Sequence, residues 1–532
     1  MVDKITGNSA GNIFIKMTSV LEQLSGWRLY LTMFFSGVLA VFAFAPLHLT
    51  FLLYPAFSVL MFALVTQKSS GRAFIIGWWW GGGYFAAGLY WVAMALMVDG
   101  WRFAWLIPFA IFGFALGFGL FVAIGASLSH RLAKNSLPGA VLLFGASWSV
   151  LEWVRSWLLT GFPWNLLGSV WAFSDYALQS AAFIGTYGLG LVTVIAAGAP
   201  IAFVRGHFKF AMLSILIPAT LFGFGAIRLA DVPFENVDGV RLRLVQPNIS
   251  QRDKWNPDLV ASHMITQIEM GAQKSVNAKS PTHIIWGETQ APFFLAEHQP
   301  WIKKIASQTP VGGLSIIGAP RRLSADGEPF RVANSMIVID ADKSAISNIY
   351  DKFHLVPFGE YVPLADILPI EKITNGAGAF TPGPGIVTMA LKGLPPVSPL
   401  ICYEVIFPLG VAKKDPVTNL RPSWLLNLTN DAWYGKTQGP HEHFALARMR
   451  AIEEGLPLVR VANTGISGVV DGYGRVRAKS QLGVRAIIDS DLPKAIVQPL
   501  YASVGNGIPL GMAIFFAIVG LVVAKCKRQN LV

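Results

Sequence analysis

Residues 103–129, FAWLIPFAIFGFALGFGLFVAIGASLS, run for 27 positions without a charged side chain. At ~1.5 Å per residue a helix of that length exceeds the ~30 Å of a bilayer's hydrocarbon core, so the stretch predicts a membrane span. Working outward, further apolar stretches of similar kind fall at 29–46, 50–66, 73–97, 137–157, 181–204, 210–228 and 506–524, for an expected total of eight spans. The composition agrees. Of 532 residues, 53% are hydrophobic and only 14% charged, against about a quarter in soluble proteins. The net charge of +12 does not point to nucleic acid, because the basic residues are scattered over short loops instead of forming one stripe.

Those loops set the expected orientation. Lys4, Lys16 and Arg28 precede the first stretch, Lys68 and Arg72 follow the second, and Arg131 and Lys134 follow the fourth. Arg205 and Lys209 follow the sixth, and Lys525, Lys527 and Arg528 the eighth. The opposite short loops hold essentially Arg102 alone. The positive-inside rule then predicts cytoplasmic termini, and an odd number of spans carries residues 229–505 to the outer face. The expected organisation is a 1–27 extension, a 28–228 membrane domain, a 229–505 periplasmic domain, and a 506–532 final span with its tail. Residues 1–27 contain Lys4, Lys16 and Glu22 but no apolar core with a cleavage site, so no removable signal peptide is expected.

The 229–505 segment alternates strand-like and helix-like runs. Val240–Ile249, His283–Glu288, Leu314–Pro320, Ser335–Asp340, Ser398–Glu404, Trp424–Asp431 and Leu456–Asn463 read as strands; 257–275, 297–308 and 441–454 read as helices. Such alternation predicts a layered α/β domain with buried sheets.

The chain has two cysteines, Cys402 in the exported segment and Cys526 at the cytoplasmic end of the last stretch. A bilayer would separate them by far more than the ~7 Å that limits a disulfide, so Cys402 is expected to be a free thiol. It could be a small buried hydrophobe or a reactive group. Its setting favours reactivity, since it ends the apolar run Pro399-Leu400-Ile401 and is followed by Tyr403 and Glu404. A thiol that attacks a carbonyl needs a base and a positive group for the oxyanion. Glu288, ending His283–Gly287, and Lys352, ending Ser347–Asp351, occupy comparable strand ends.

Four patterns now stand in order: Trp286-Gly287-Glu288, Asp351-Lys352-Phe353-His354-Leu355-Val356-Pro357-Phe358-Gly359-Glu360, Ile401-Cys402-Tyr403-Glu404, and Arg450-Ala451-Ile452-Glu453 leading to Pro457 and Asn463. Together they resemble the nitrilase (carbon-nitrogen hydrolase) superfamily. With the membrane frame, Gly161-Phe162-Pro163-Trp164-Asn165, Gln246-Pro247-Asn248-Ile249, Trp255 and Asp431-Ala432-Trp433-Tyr434-Gly435, residues 28–525 resemble its membrane-bound branch, the apolipoprotein N-acyltransferase family. Gly287 stands where proline is common there, and Tyr434 where phenylalanine is.

The resemblance implies a nitrilase-like αββα sandwich, with Cys402 as nucleophile, Glu288 as general base and Lys352 as oxyanion cation. It implies Glu360, Tyr403 and Glu404 as supports and Trp255 at the substrate entrance. It further implies ping-pong transfer of an acyl chain from a phospholipid, phosphatidylethanolamine, through a cysteine thioester to the N-terminal amine of a diacylated apolipoprotein, at the bacterial inner membrane. No cofactor, nucleotide or metal is expected. His441-Glu442-His443 puts its histidines two apart on a helix, on different faces.

Other signals carry two readings each. Glu152 and Arg155 form either a structural pair or a lipid-headgroup contact. Trp78, Trp79, Trp80, Trp101, Trp105, Trp157 and Trp164 read mainly as interfacial anchors, and the apolar run Tyr361–Ile370 as an arm touching lipid. Two rival functions are a membrane-tethered amidase, which shares the Glu-Lys-Cys set, and a lipid transporter with a recognition domain, which the scarcity of midspan charges disfavours.

Overall fold

The computed structural model describes residues 21–98, 100–133, 136–275, 279–324, 327–328, 330–363 and 380–529. The first twenty residues of the extension, with Lys4 and Lys16, lie outside the described residues, as do Lys134 and the expected lipid arm from residue 364 onward. The chain divides into two compact units. One comprises residues up to Tyr90, Leu106–Ala230 and the chain from Ser503; the other comprises Trp91–Trp105 and Asp231–Ala502.

In the first unit every expected apolar stretch is helical: Gly26–Val41, Leu53–Thr66, Ser70–Gly88, Ile107–Ala133, Leu137–Arg155, Ala181–Ala197, Phe208–Leu229 and Gly507–Gln529. Among the described residues, Ala104–Ala133, Leu137–Arg155, Ala181–Val204, Phe208–Leu229 and Gly507–Cys526 are long and apolar enough to cross a membrane. The first two helices have 16 and 14 residues, hence ~24 and ~21 Å at ~1.5 Å each, short of ~30 Å. The third stretch also departs from expectation. Its α-helix stops at Gly88, and Tyr90–Met97 continues as a 3-10 helix that from Trp91 onward belongs to the second unit.

Glycines let the helices of this unit approach. A side chain on Gly37 would meet the Trp80 carbonyl oxygen at 2.0 Å, and one on Gly83 that of Phe34 at 1.9 Å. On the helix Ile107–Ala133, Phe109, Phe112, Leu116, Leu120, Ile124 and Leu128 form an exposed apolar stripe at helical spacing, a face suited to lipid. The tryptophans divide: Trp80 and Trp164 are buried, Trp80 against Phe57, Tyr84 and Trp148, whereas Trp79, Trp101, Trp105 and Trp157 are exposed. Glu152 and Arg155 both serve the loop that follows them. Glu152 Oε1 accepts from the Leu167 N–H at 2.8 Å, and Arg155 donates to the carbonyls of Phe162 and Trp164 at 2.5 and 2.7 Å.

The second unit holds two six-stranded sheets. The strands are β1 Asn236–Gln246, β2 His283–Trp286, β3 Leu314–Arg322, β4 Val332–Asp340, β5 Ala345–Asp351, β6 Met389–Leu391, β7 Leu394–Ile401, β8 Trp424–Thr429, β9 Leu458–Ala462, β10 Gly468–Val470, β11 Val476–Lys479 and β12 Ala486–Pro493. Their orders are β12-β1-β2-β3-β4-β5 and β11-β10-β9-β8-β7-β6. Each sheet has a parallel trio, β1-β2-β3 or β7-β8-β9, flanked by antiparallel strands. Parallel strands are buried on both faces, which is why β2, β8 and β9 read as nearly unbroken apolar runs.

The period of two sorts side chains between layers. In β1, Leu242 and Leu244 join Ile316, Val338, Leu426 and Val461 in the core between the sheets, while Val245 faces outward. The outer face of the first sheet is covered by Pro257–Ala272, through Met264 and Ile268, and by Gln299–Gln308, through Ile302 and Ile305. The helix Gly439–Glu454, buried at every position except His441, packs on β9 and on the turn after β7. A helix-sheet-sheet-helix sandwich results, as the sequence predicts.

Candidate active site

The C-terminal ends of two parallel strands, β2 and β7, and of the antiparallel edge strand β5 deliver the polar groups. β2 ends at Trp286 and places Glu288 two residues on; β7 ends at Ile401, directly before Cys402; β5 ends at Asp351, directly before Lys352. Close approach of β3 to the Glu288 turn requires a glycine, because a side chain on Gly318 would meet the Thr289 nitrogen at 2.4 Å. Cys402 itself has φ +52, in the left-handed region that costs a β-carbon-bearing residue of order 1–3 kcal/mol and persists only where surroundings hold it.

Lys352 is 1% exposed and sits between two carboxylates, with Nζ 2.8 Å from Glu360 Oε2 and 3.8 Å from Glu288 Oε1. Asn334, on β4, donates from Nδ2 to Glu288 Oε1 at 2.8 Å and to Glu360 Oε1 at 3.0 Å, tying the two acids together. Glu360 also accepts from the Val356 N–H at 2.8 Å. Glu404 is a strut. It accepts from the N–H groups of Ile401, Phe353 and His354 at 2.7, 2.8 and 3.1 Å and from the Tyr350 hydroxyl at 2.9 Å, joining the Cys402 turn to the end of β5.

The charges follow from burial. Desolvation, with the negative Glu288 nearby, pushes the Cys402 thiol up to about 12, while Lys352 and the Thr429 hydroxyl work against the shift. Burial also raises Glu288, opposed by Lys352 and reinforced by Glu360. Burial alone would lower Lys352, yet Glu360, Glu288 and Cys402 outweigh it and hold the ammonium charged. The resting cluster therefore contains a protonated thiol, a fixed cation and a carboxylate raised toward proton-accepting range. That is what a nucleophile with a general base and an oxyanion partner requires.

Of the other expected residues, Tyr403 is buried beside Cys402, its ring 5.0 Å from Phe407 and 5.5 Å from His354. Trp255 is partly buried and ends the short helix Gln251–Lys254. Its neighbour Lys254, missed in the sequence, is 2% exposed and donates to the Glu288 carbonyl at 2.9 Å. Burial draws it down to about 8, against the pull of Glu288 and Cys402.

A second buried network, also missed, lies around the Cys402 carbonyl. That oxygen accepts from Asn427 Nδ2 at 3.2 Å and faces His443 Nε2 at 3.3 Å. His443 Nδ1 is 2.8 Å from Asp431 Oδ1 and 3.0 Å from Arg460 Nη2. Arg460 donates to Asp431 Oδ2 at 2.8 Å and bonds Asn427 Oδ1. Burial would raise Asp431, but Arg460 and His443 pull it down to about 2. The sequence signal was a set of polar residues inside buried elements: Asn427 within β8, Arg460 within β9, and His443 within the helix Gly439–Glu454.

The motifs around Asn463 close the same end of the sandwich. Asn463 Nδ2 donates to the Ile249 carbonyl at 2.8 Å and its Oδ1 accepts from the Ile249 N–H at 3.1 Å, while Gln246 Oε1 accepts from Ser467 and Ser480 hydroxyls. Trp91 and Met94 pack here too. The Trp91 ring lies 4.5 Å from that of Tyr434, and Met94 abuts Gly435.

Comparison with known proteins adds two matched families and several relatives. Residues 36–199 match the family described as apolipoprotein N-acyltransferase N-terminal domain, and residues 301–501 match carbon-nitrogen hydrolase, a span that holds Lys352 and Cys402 but begins after Glu288. The chain is 37% identical to an apolipoprotein N-acyltransferase of Rhodopseudomonas palustris over 94% of its own length and 96% of the relative's. It is 39% identical to that of Bradyrhizobium diazoefficiens over 95% and 96%, and 34% identical to that of Rickettsia prowazekii over 91% and 96%.

Proposed function

Because this chain belongs to the apolipoprotein N-acyltransferase family, we propose that it N-acylates lipoproteins at a membrane, through a covalent acyl-enzyme on Cys402. The observation that carries the mechanism is the buried Lys352 held 2.8 Å from Glu360 and 3.8 Å from Glu288 at strand ends adjoining Cys402.

In the first half-reaction Cys402 Sγ attacks the acyl-ester carbonyl of a phospholipid, phosphatidylethanolamine in our reading. Glu288 takes the thiol proton, Lys352 faces the oxyanion, and the C–O bond breaks as Glu288 returns the proton to the departing lysophospholipid oxygen. In the second, the free N-terminal amine of a diacylated apolipoprotein attacks the thioester. Glu288 takes an amine proton and passes it to the leaving thiolate, restoring the free enzyme. Glu360 and Glu404 hold the lysine and the nucleophile turn. Trp255 lines the substrate entrance. No cofactor enters the scheme. The amidase alternative differs only in the acceptor, water in place of an amine; the membrane-spanning helices support the lipid reading.

The membrane frame of this proposal has eight spans, cytoplasmic termini and residues 229–505 in the periplasm of a bacterial inner membrane. Alkaline phosphatase fused near residue 300 should be active, and fused after Val532 inactive; the reverse would overturn the orientation. For the chemistry, purified protein incubated with phosphatidylethanolamine alone should gain one acyl mass on Cys402 and lose it when a diacylated amine peptide is added. A Trp255→Ala variant should form the same adduct slowly. Amide product made without any Cys402 adduct would sink the ping-pong reading.

A further inference from the structure

The nucleophile's own backbone raises a question of placement. Ile401 is extended, with φ −111 and ψ 117, and Cys402 turns into the left-handed region at φ +52. Such a residue relaxes unless its peptide groups are held. In a trans peptide the carbonyl of Cys402 and the N–H of Tyr403 point in opposite directions, so whatever grips that carbonyl also aims the N–H beside the thiol and fixes how the thiol is presented.

Two side chains face the carbonyl from within the protein, Asn427 Nδ2 at 3.2 Å and His443 Nε2 at 3.3 Å. Neither is free to drift. His443 is fully buried, and its Nδ1 lies against Asp431 and Arg460, which themselves form a buried ion pair. Arg460 also bonds Asn427, so both groups facing the carbonyl are seated on one network. Whichever partner Nδ1 takes, Nε2 must carry a proton to serve the Cys402 oxygen.

We infer that His443 is a positioning residue for the acyl transfer, locking the Cys402–Tyr403 peptide plane through its Nε2–H while Asp431 and Arg460 fix its ring. This rests on Cys402 being the nucleophile. The histidine has no contact with substrate in this role and no proton to transfer. Its contribution is the orientation of the attacking sulfur, and a misplacement of ~1 Å at such a centre costs on the order of 100-fold in rate.

Side-chain reach supplies the test. Glutamine places an amide N–H near the Nε2 position, whereas asparagine stops near Nδ1. Single-turnover formation of the Cys402 acyl adduct from phosphatidylethanolamine, read by mass, should slow about 10–100-fold in His443→Asn with KM for the phospholipid unchanged. His443→Gln should stay within about 5-fold of wild type, an effect of ~1 kcal/mol or less. Asn427→Asp keeps the acceptor for Arg460 but lacks the N–H, and should slow the same step even if the histidine variants fail to fold. Equal rates for His443→Asn and His443→Gln, a change in KM alone, or a wild-type rate in Asn427→Asp would each overturn the inference. If wild type itself forms no adduct while acyl transfer proceeds, the nucleophile assignment fails and takes this inference with it. A wild-type adduct with unaffected variants sinks this inference alone.

Discussion

Two buried ionic clusters flank Cys402, and they differ in how completely their charges are answered. On one side Lys352 is shared by Glu288 and Glu360, so two acids compete for one cation and Glu288, the farther one, is left raised by burial. On the other side Asp431 meets Arg460 at 2.8 Å and His443 at 2.8 Å, and its carboxyl is held down at about 2. An acid with an arginine to itself is a fixed anion. An acid that shares a single cation can pick up a proton. The first cluster is therefore suited to chemistry and the second to architecture, although both are buried.

If that contrast is right, variants in the first cluster should abolish turnover in folded protein. The largest effect belongs to the group between the clusters. Cys402→Ser should lower acyl transfer by on the order of 10⁴–10⁶, since a hydroxyl is far less ionised than a thiol and the base here is a carboxylate. Near-normal turnover by a folded Cys402→Ser protein would break the comparison outright. Next come Glu288→Gln, expected to slow thioester formation by about 10²–10⁴, and Lys352→Met, by about 10²–10³ or more. Both should stall before the adduct. A Glu288→Gln variant that accumulates thioester at the wild-type rate would remove Glu288 from the first step.

Legibility in the sequence divides along the same line. Glu288 and Cys402 each follow an apolar run and Lys352 the mixed run Ser347–Asp351, so a polar side chain at a strand end marks them without any partner being known. In the architecture cluster Asp431 also closes a strand-like run, but Asn427 and Arg460 lie inside strands and His443 inside a helix, with no such mark. Arg460 lies 29 residues from Asp431 and 33 from Asn427, and only the pairing of β8 with β9 makes them neighbours. Lys254 and Asn334 likewise meet Glu288 across 34 and 46 residues. In the fold, the parallel strands were legible because burial on both faces makes them continuously apolar, whereas β11 and β12, only half-buried over most of their length, mix polar and apolar residues. The end of the helix Ser70–Gly88 was hidden for a different reason. Tyr90–Met97 is as apolar as the helix before it, so hydropathy cannot register the change to a 3-10 helix at Gly88.

Variants in the second cluster should act first on stability. Asp431→Asn leaves Arg460 buried beside a neutral amide, and breaking such a pair costs about 3–5 kcal/mol. The sign with pH follows. The folded carboxyl, at about 2, is below the ~3.9 of an unfolded aspartate, so its contribution is fully present above pH ~4 and is lost as pH falls toward 2. Thermal melts of detergent-solubilised protein should show wild type weakening through that window and Asp431→Asn, already less stable, weakening less. Equal melting temperatures at pH 7 would mean that the ion pair is not structural.

The smallest effect sharpens the contrast from the opposite sign. Glu404 accepts three backbone N–H groups and a tyrosine hydroxyl, yet burial still raises it to about 7. An acid whose folded value lies above its unfolded ~4.3 binds more protons when folded, so its ionisation costs stability progressively as pH rises from ~4.3 to about 7. Glu454, also raised to about 7 by burial despite Arg421, adds to the same window. Between pH 5 and pH 8 both acids should therefore contribute a downward slope to the melting temperature, where Asp431 contributes none. Glu404→Gln should remove its share of that downward slope, and Glu454→Gln the other. The variant also loses acceptor capacity toward Ile401, Phe353 and His354, so its melting temperature at pH 5 should be lower than wild type even as its slope is shallower. Melts at four pH values for wild type, Glu404→Gln and Glu454→Gln separate the two acids. An unchanged slope in Glu404→Gln would mean that its N–H donors outweigh burial, and would place Glu404 with Asp431 among the fixed anions.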